Sequence, residues 1–181
     1  MQVSSVSDSM VLQPKDITAG SNTKNKYKLL VIDDHKDIRL YLKMLFSSSY
    51  NVIMAENGEE GVKIAQREMP DLIISDIMMP VMDGFECCRI LKEDLKTSHI
   101  PIVFLTALIG DENMIKAIEL GANDYILKPF HPEILRSKVK RLIQNRVNLK
   151  QSYMKLMMTP TINEVPKEEE EKEDPFIRQI F

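Results

Sequence analysis

The sequence predicts an α/β protein built on a doubly wound, parallel sheet of five strands. Two observations carry that expectation. Five short apolar runs, at residues 28–32, 51–55, 72–74, 100–105 and 124–127, alternate with segments of helical period. Four of these runs end in residues able to do chemistry, namely Asp33-Asp34, Asp76, Thr106 and Lys128.

The elements follow in order. Residues 1–26 are rich in Ser, Asn, Thr and Gly without a period, and read as a flexible linker. Lys28–Ile32 is the first strand, followed by a helix from about His35 to Ser47 with Ile38, Leu42, Leu45 and Phe46 on one face. His35 reads as a solvent-side residue near that helix start. Asn51–Ala55 is the second strand. Asn57-Gly58 turns the chain into a helix containing Val62, Ile64 and Ala65, which ends before Pro70. Leu72, Ile73 and Ile74 form an apolar run of the kind buried in a parallel sheet, closed by Asp76. Pro80, Asp83 and Gly84 mark a loop, with Asp83 as the cap of a helix from Gly84 to about Lys92. Ile100–Leu105 is the fourth strand. A helix with Met114, Ile115, Ile118 and Leu120 follows it, closed by Gly121. Asp124–Leu127 is the last strand, and Pro132 sits in the first turn of the last helix. Leu135, Val139, Leu142, Leu149, Tyr153 and Leu156 recur at 4-3 spacing, with Arg146 in one polar slot. A near-heptad stripe of this kind predicts a helix to about Met157 that pairs with its twin.

Composition bounds the function. A chain of 181 residues with 44% hydrophobic content supports one domain with tails. The net charge of −3 is unevenly placed: Lys167–Asp174 holds six acids and two lysines, and the remainder carries 22 bases against 21 acids. That balance is no nucleic-acid footprint, so direct nucleic-acid binding is not expected. Cys87 and Cys88 are adjacent, without metal or redox spacing, and read as helix residues in a reducing, cytoplasmic setting. No apolar run reaches the length of a membrane span, and the N-terminus lacks the pattern of a signal peptide, so no membrane partner is expected.

The strand ends carry the chemistry. In a parallel sheet they share one edge, where open α/β folds bind ligands. Asp33, Asp34 and Asp76 would repel one another there unless a cation shared the site. Mg²⁺ suits them, because it takes oxygen ligands and keeps several waters. Thr106 and Lys128 would face an anion joining the metal. This is an inventory for phosphoryl transfer to a carboxylate.

Val31-Ile32-Asp33-Asp34, Ser75–Gly84, Leu105-Thr106-Ala107 and Tyr125–Phe130 together resemble the bacterial response-regulator receiver domain of two-component systems, over residues 27–147. The resemblance implies a flavodoxin-like fold with strand order 2-1-3-4-5, to which the apolar stripe of the last helix adds an extended C-terminal helix. It implies that Asp76 accepts the phosphoryl group. Asp33, Asp34, Asp76 and the backbone carbonyl of Met78 would hold Mg²⁺. Lys128 would neutralise the phosphoryl oxygens, and Thr106 and Tyr125 would be the switch pair. A sensor histidine kinase, in the same or another chain, would be the donor. A homodimer through the fourth helix, fifth strand and fifth helix would be the response. The Lys128-Pro129 bond is expected to be cis. Such a domain modifies itself and turns over no external substrate.

Two other readings compete. Phosphatases and phosphomutases with an aspartyl nucleophile carry a second acid two residues beyond it, where this chain has Met78. A pseudo-receiver that never accepts phosphate would lack acidic, hydroxyl or lysine positions that are all present here. Residues 148–158 read as a helical extension and 159–181 as an acidic linker. Glu173–Phe181 resembles the opening of an AraC-type DNA-binding domain, as it follows the receiver of a hybrid histidine kinase.

Overall fold

The computed structural model describes residues 26–158. Residues 1–25 of the linker expected over 1–26, and the acidic stretch 159–181, lie outside the described residues. Five strands, β1 (Lys28–Ile32), β2 (Asn51–Ala55), β3 (Leu72–Ser75), β4 (Ile102–Thr106) and β5 (Asp124–Leu127), form one sheet. Its order is β2-β1-β3-β4-β5, and every pairing is parallel. The helices between them are α1 (Lys36–Phe46), α2 (Gly58–Glu68), α3 (Gly84–Glu93), α4 (Asp111–Glu119) and α5 (Pro132–Met158). Fold class and strand order are those expected from the sequence.

Alternate residues of each central strand point to opposite faces, and two cores result. Leu30, Ile32, Ile73, Ile102 and Phe104 pack with residues of α2, α3 and α4. Leu29, Val31, Leu72, Ile74, Val103 and Leu105 pack with α1 and α5. Burial on both faces explains the unbroken apolar runs of β1, β3 and β4.

The fourth strand starts two residues later than the expected 100–105. Ile100 and Pro101 are buried but precede the ladder. Proline has no N–H to give a neighbour, and only the Pro101 carbonyl is used, accepting from Ile73 N at 2.9 Å. Thr106 is consequently the last residue of β4.

Local signals set the helix ends. Asn57 and Asp83 cap α2 and α3, their side chains accepting from the backbone N–H groups of Glu60 and Glu86. At the end of α4, Gly121 has φ +85°, with Gly121 N donating to Ile118 O and Ala122 N to Ala117 O. That is a Schellman closure, in which glycine bears the left-handed residue without Cβ strain.

In α5 the buried residues are Leu135, Val139 and Ile143. Leu142 is only partly buried, so the packed stripe steps by four rather than 4-3. Arg146 does more than fill a polar slot. Its guanidinium donates to Pro70 O at 2.9 Å and lies 3.8 Å from Asp71. Leu149, Tyr153 and Leu156 are exposed.

Candidate functional site

Parallel pairing brings the carboxyl ends of β1, β3, β4 and β5 to one edge, and the polar residues follow. Asp33 and Asp76 are almost fully buried, and Thr106 is fully so. Lys128 lies at the end of β5, after which the Lys128-Pro129 bond is cis. Its ammonium donates to Asp33 Oδ2 at 2.7 Å and to Asp76 Oδ2 at 3.0 Å. Burial alone would lower the Lys128 pKa. The hydrogen bonds and charges of Asp33 and Asp76 outweigh it and hold the pKa above the usual lysine value. The ammonium is therefore charged at neutral pH.

Backbone donors hold the carboxylates. Asp76 Oδ1 accepts from Ile77 N at 2.6 Å and Met78 N at 3.4 Å. Asp33 Oδ1 accepts from His35 N at 2.9 Å, an Asx turn that shapes the chain after β1. Gly84 lies against the backbone of Asp76, and a Cβ there would collide with the Asp76 carbonyl. The glycine in the Asp83-Gly84 pair thus lets α3 begin directly beneath the acidic loop.

One oxygen at this edge is left over. Asp34 Oδ1 is buried and takes no hydrogen bond among the described residues. Asp33, Asp34, His35 and Asp76 each offer one ligand atom, and these atoms lie within 4.8 Å of one another. A shared cation resolves both the crowded negative charge and the orphaned oxygen, so the donor set fits a divalent ion. Met78, expected to contribute its carbonyl, has an exposed side chain at the mouth. The mouth is a cavity of about 410 Å³ lined by His35, Ile38, Asp76, Met78, Ala107 and Lys128.

Thr106 and Tyr125 converge on one residue that sequence reasoning did not single out. Thr106 Oγ1 accepts from Leu108 N at 3.2 Å, and Tyr125 Oη donates to Leu108 O at 2.5 Å. The loop after β4 is therefore tied to both. Tyr125 also meets Phe104 edge to face at 6.4 Å. Burial, then the nearby Asp76 charge, raise the pKa of its phenol.

Two further residues escaped the sequence reading. Arg39 of α1 is buried and donates to Asp33 O at 2.7 Å, Asp34 O at 3.0 Å and Glu56 Oε1 at 2.8 Å. It pins the acidic turn through its carbonyls. No local pattern distinguishes it from any other helical arginine. His35, expected on the solvent side, has an exposed ring, yet its Nδ1 lies 2.9 Å from Asp34 Oδ1 and 3.4 Å from Asp33 Oδ1. Its place directly after the acidic pair was the available signal.

The family model described as "Response regulator receiver domain" matches residues 29–140. The chain is 43% identical over 130 residues to "Histidine kinase P4" of Formosa agariphila, covering 72% of this chain and 10% of that one. It is 42% identical over 125 residues to the protein named "Probable transcriptional regulator ycf27" of Cyanophora paradoxa, covering 68% of this chain and 51% of that one. The signal receiver domain of a signal transduction histidine kinase from Syntrophus aciditrophicus superposes with a TM-score of 0.62 at 36% identity, over 66% of this chain and 91% of that one. The chain thus spans from a tenth to half the length of these two curated relatives.

Proposed function

The chain belongs to the response-regulator receiver family of two-component signal transduction, and from that premise we propose that Asp76 takes a phosphoryl group from the phosphohistidine of a sensor histidine kinase. The observation that carries this reading is Lys128, whose ammonium joins Asp33 and Asp76 at the buried carboxyl edge.

An Asp76 carboxylate oxygen attacks phosphorus as the bond from phosphorus to the donor imidazole, protonated on its other ring nitrogen, breaks and leaves its electron pair on the ring, giving an acyl phosphate and a neutral histidine. Lys128 exchanges its hydrogen bond to Asp76 for one to a phosphoryl oxygen, placing positive charge where negative charge grows. Asp33, Asp34, Asp76 and the Met78 carbonyl would hold Mg²⁺, which when bound would supply positive charge beside the phosphoryl oxygens.

Thr106 releases Leu108 N and turns its hydroxyl to the phosphoryl group. Because Tyr125 holds the same residue, the loop after β4 and then α4 shift with it. The surface that changes is apolar: Ile109, Met114, Ile115, Ile118, Leu127 and Ile134 are all exposed. It forms a two-fold dimer with a second copy, extended by the exposed Leu149, Tyr153 and Leu156 of α5. If an AraC-type output follows, as the resemblance of Glu173–Phe181 implies, the dimer would bring two outputs together in the cytoplasm.

The test is labelling by acetyl phosphate or a phosphohistidine donor, read by intact-protein mass. Wild type gains one phosphoryl group with Mg²⁺, and Asp76→Asn gains none while keeping its circular dichroism spectrum. Labelling of Asp76→Asn at the wild-type rate removes the assignment. Asp34→Ala is expected to retain only weak Mg²⁺ binding and weak labelling.

A further inference from the structure

His35 is the N-cap residue of α1, yet its side chain makes no capping hydrogen bond. The ring turns instead toward the carboxylates. Its backbone is fixed, because His35 N donates to Asp33 Oδ1. The contact between Nδ1 and Asp34 Oδ1, at 2.9 Å, is not aligned as a hydrogen bond, and that oxygen takes none. Two donors bonded to one ion at about 2.1 Å and at right angles stand about 3 Å apart. The observed 2.9 Å separation matches that spacing. Asp33, Asp34 and Asp76 supply the oxygen atoms within the same cluster.

We propose that the His35 imidazole is an additional metal donor at the Asp33–Asp34–Asp76 edge, making the site one that takes borderline first-row ions such as Ni²⁺ and Zn²⁺ through nitrogen as well as oxygen. This rests on the cation site proposed above. The chemistry separates the ions. Mg²⁺ prefers oxygen and gains little from imidazole, whereas Ni²⁺ and Zn²⁺ gain much. Transition ions bind most mixed sites more tightly than Mg²⁺ does, so tighter Ni²⁺ binding alone decides nothing. The dependence on His35 decides it.

The full chain, stripped of metal by chelation, is titrated calorimetrically with Mg²⁺ and with Ni²⁺ as wild type, His35→Ala and His35→Gln. Ni²⁺ affinity is expected to fall about tenfold or more in both variants, and Mg²⁺ affinity by a clearly smaller factor. In parallel, ¹⁵N NMR of the imidazoles during Zn²⁺ addition is expected to shift the His35 ring nitrogens at the first equivalent, ahead of those of His99 and His131. Equal losses for Ni²⁺ and Mg²⁺, or Zn²⁺ shifts confined to His99 and His131, overturn the proposal and leave the Mg²⁺ site standing. Wild type that binds no Mg²⁺ overturns the cation site itself, and this inference with it.

Discussion

Helices α3 and α4 serve the same face of the sheet, and both carry apolar residues at helical spacing. The sheet uses them differently. α3 buries Gly84, Phe85, Cys87, Cys88 and Leu91, and its first turn is capped by the Asp83 side chain. α4 buries only Ala117 and starts at Gly110 without a side-chain cap. Ile115 and Ile118 are 55% and 62% exposed. The two helices meet where the ammonium of Lys116 lies 4.4 Å from the centre of the Phe85 ring. Local opening costs less where less apolar surface leaves contact. The helix that positions the Asp76 loop is anchored. The helix beside Thr106, Leu108 and Tyr125 buries little, as the proposed switch at Asp76 requires.

The comparison breaks first at Leu91, which is fully buried in α3. Leu91→Ala is expected to cost about 2–5 kcal/mol in urea unfolding. A loss under about 1 kcal/mol would mean that α3 is no better anchored than an exposed helix. Gly84→Ala comes next. Its methyl must displace the Asp76 carbonyl, so about 1–3 kcal/mol of stability and much of the acetyl phosphate labelling rate should be lost together. Unchanged labelling would uncouple the start of α3 from the proposed acceptor, Asp76.

The cysteines report on α3 directly. Burial pushes the Cys87 thiol up to about 12 and the Cys88 thiol up to about 11. Both should resist a thiol reagent at pH 8 until the chain opens. Raised thiol pKa values disfavour the thiolate only in the folded state. Their effect on stability is thus absent below the ordinary thiol range, and stability falls as pH rises from about 9 toward 12. Fast labelling of the native chain would contradict the packing of α3.

Tyr125→Phe removes the hydrogen bond to Leu108 and should cost about 1 kcal/mol. Labelling of Asp76 should survive while phosphorylation-dependent dimerisation, read by light scattering, weakens. A fully responsive dimer would take Tyr125 out of the switch. Smallest in stability is Ile118→Ala, expected within about 0.5 kcal/mol of wild type but with weaker dimerisation. A large stability loss would show that α4 packs as tightly as α3.

Much of this was legible in the residues themselves. The apolar runs located the five strands, since a strand buried on both faces needs unbroken apolar sequence. Asn57, Asp83 and Gly121 marked helix ends, since capping is a contact within one turn. Asp33, Asp34, Asp76, Thr106 and Lys128 were legible as a set, because strand ends must meet once the sheet is parallel. The start of β4 was misjudged because Ile100 and Pro101 are apolar, and hydrophobicity does not reveal a missing N–H.

Tertiary structure decided what depends on distance across the chain. Leu108 became the shared partner of Thr106 and Tyr125 because β4 and β5 are neighbours, with Thr106 in register with Leu127. Arg39 reached the carbonyls of Asp33 and Asp34, and Arg146 reached Pro70, because α1 and α5 pack where the sheet places them. Met114, Ile115 and Ile118 of α4 stayed at the surface although their period matches that of a buried helix. A sequence fixes which residues can form a face, since helical period is local. Whether that face is covered depends on what the rest of the fold brings within about 4 Å of it.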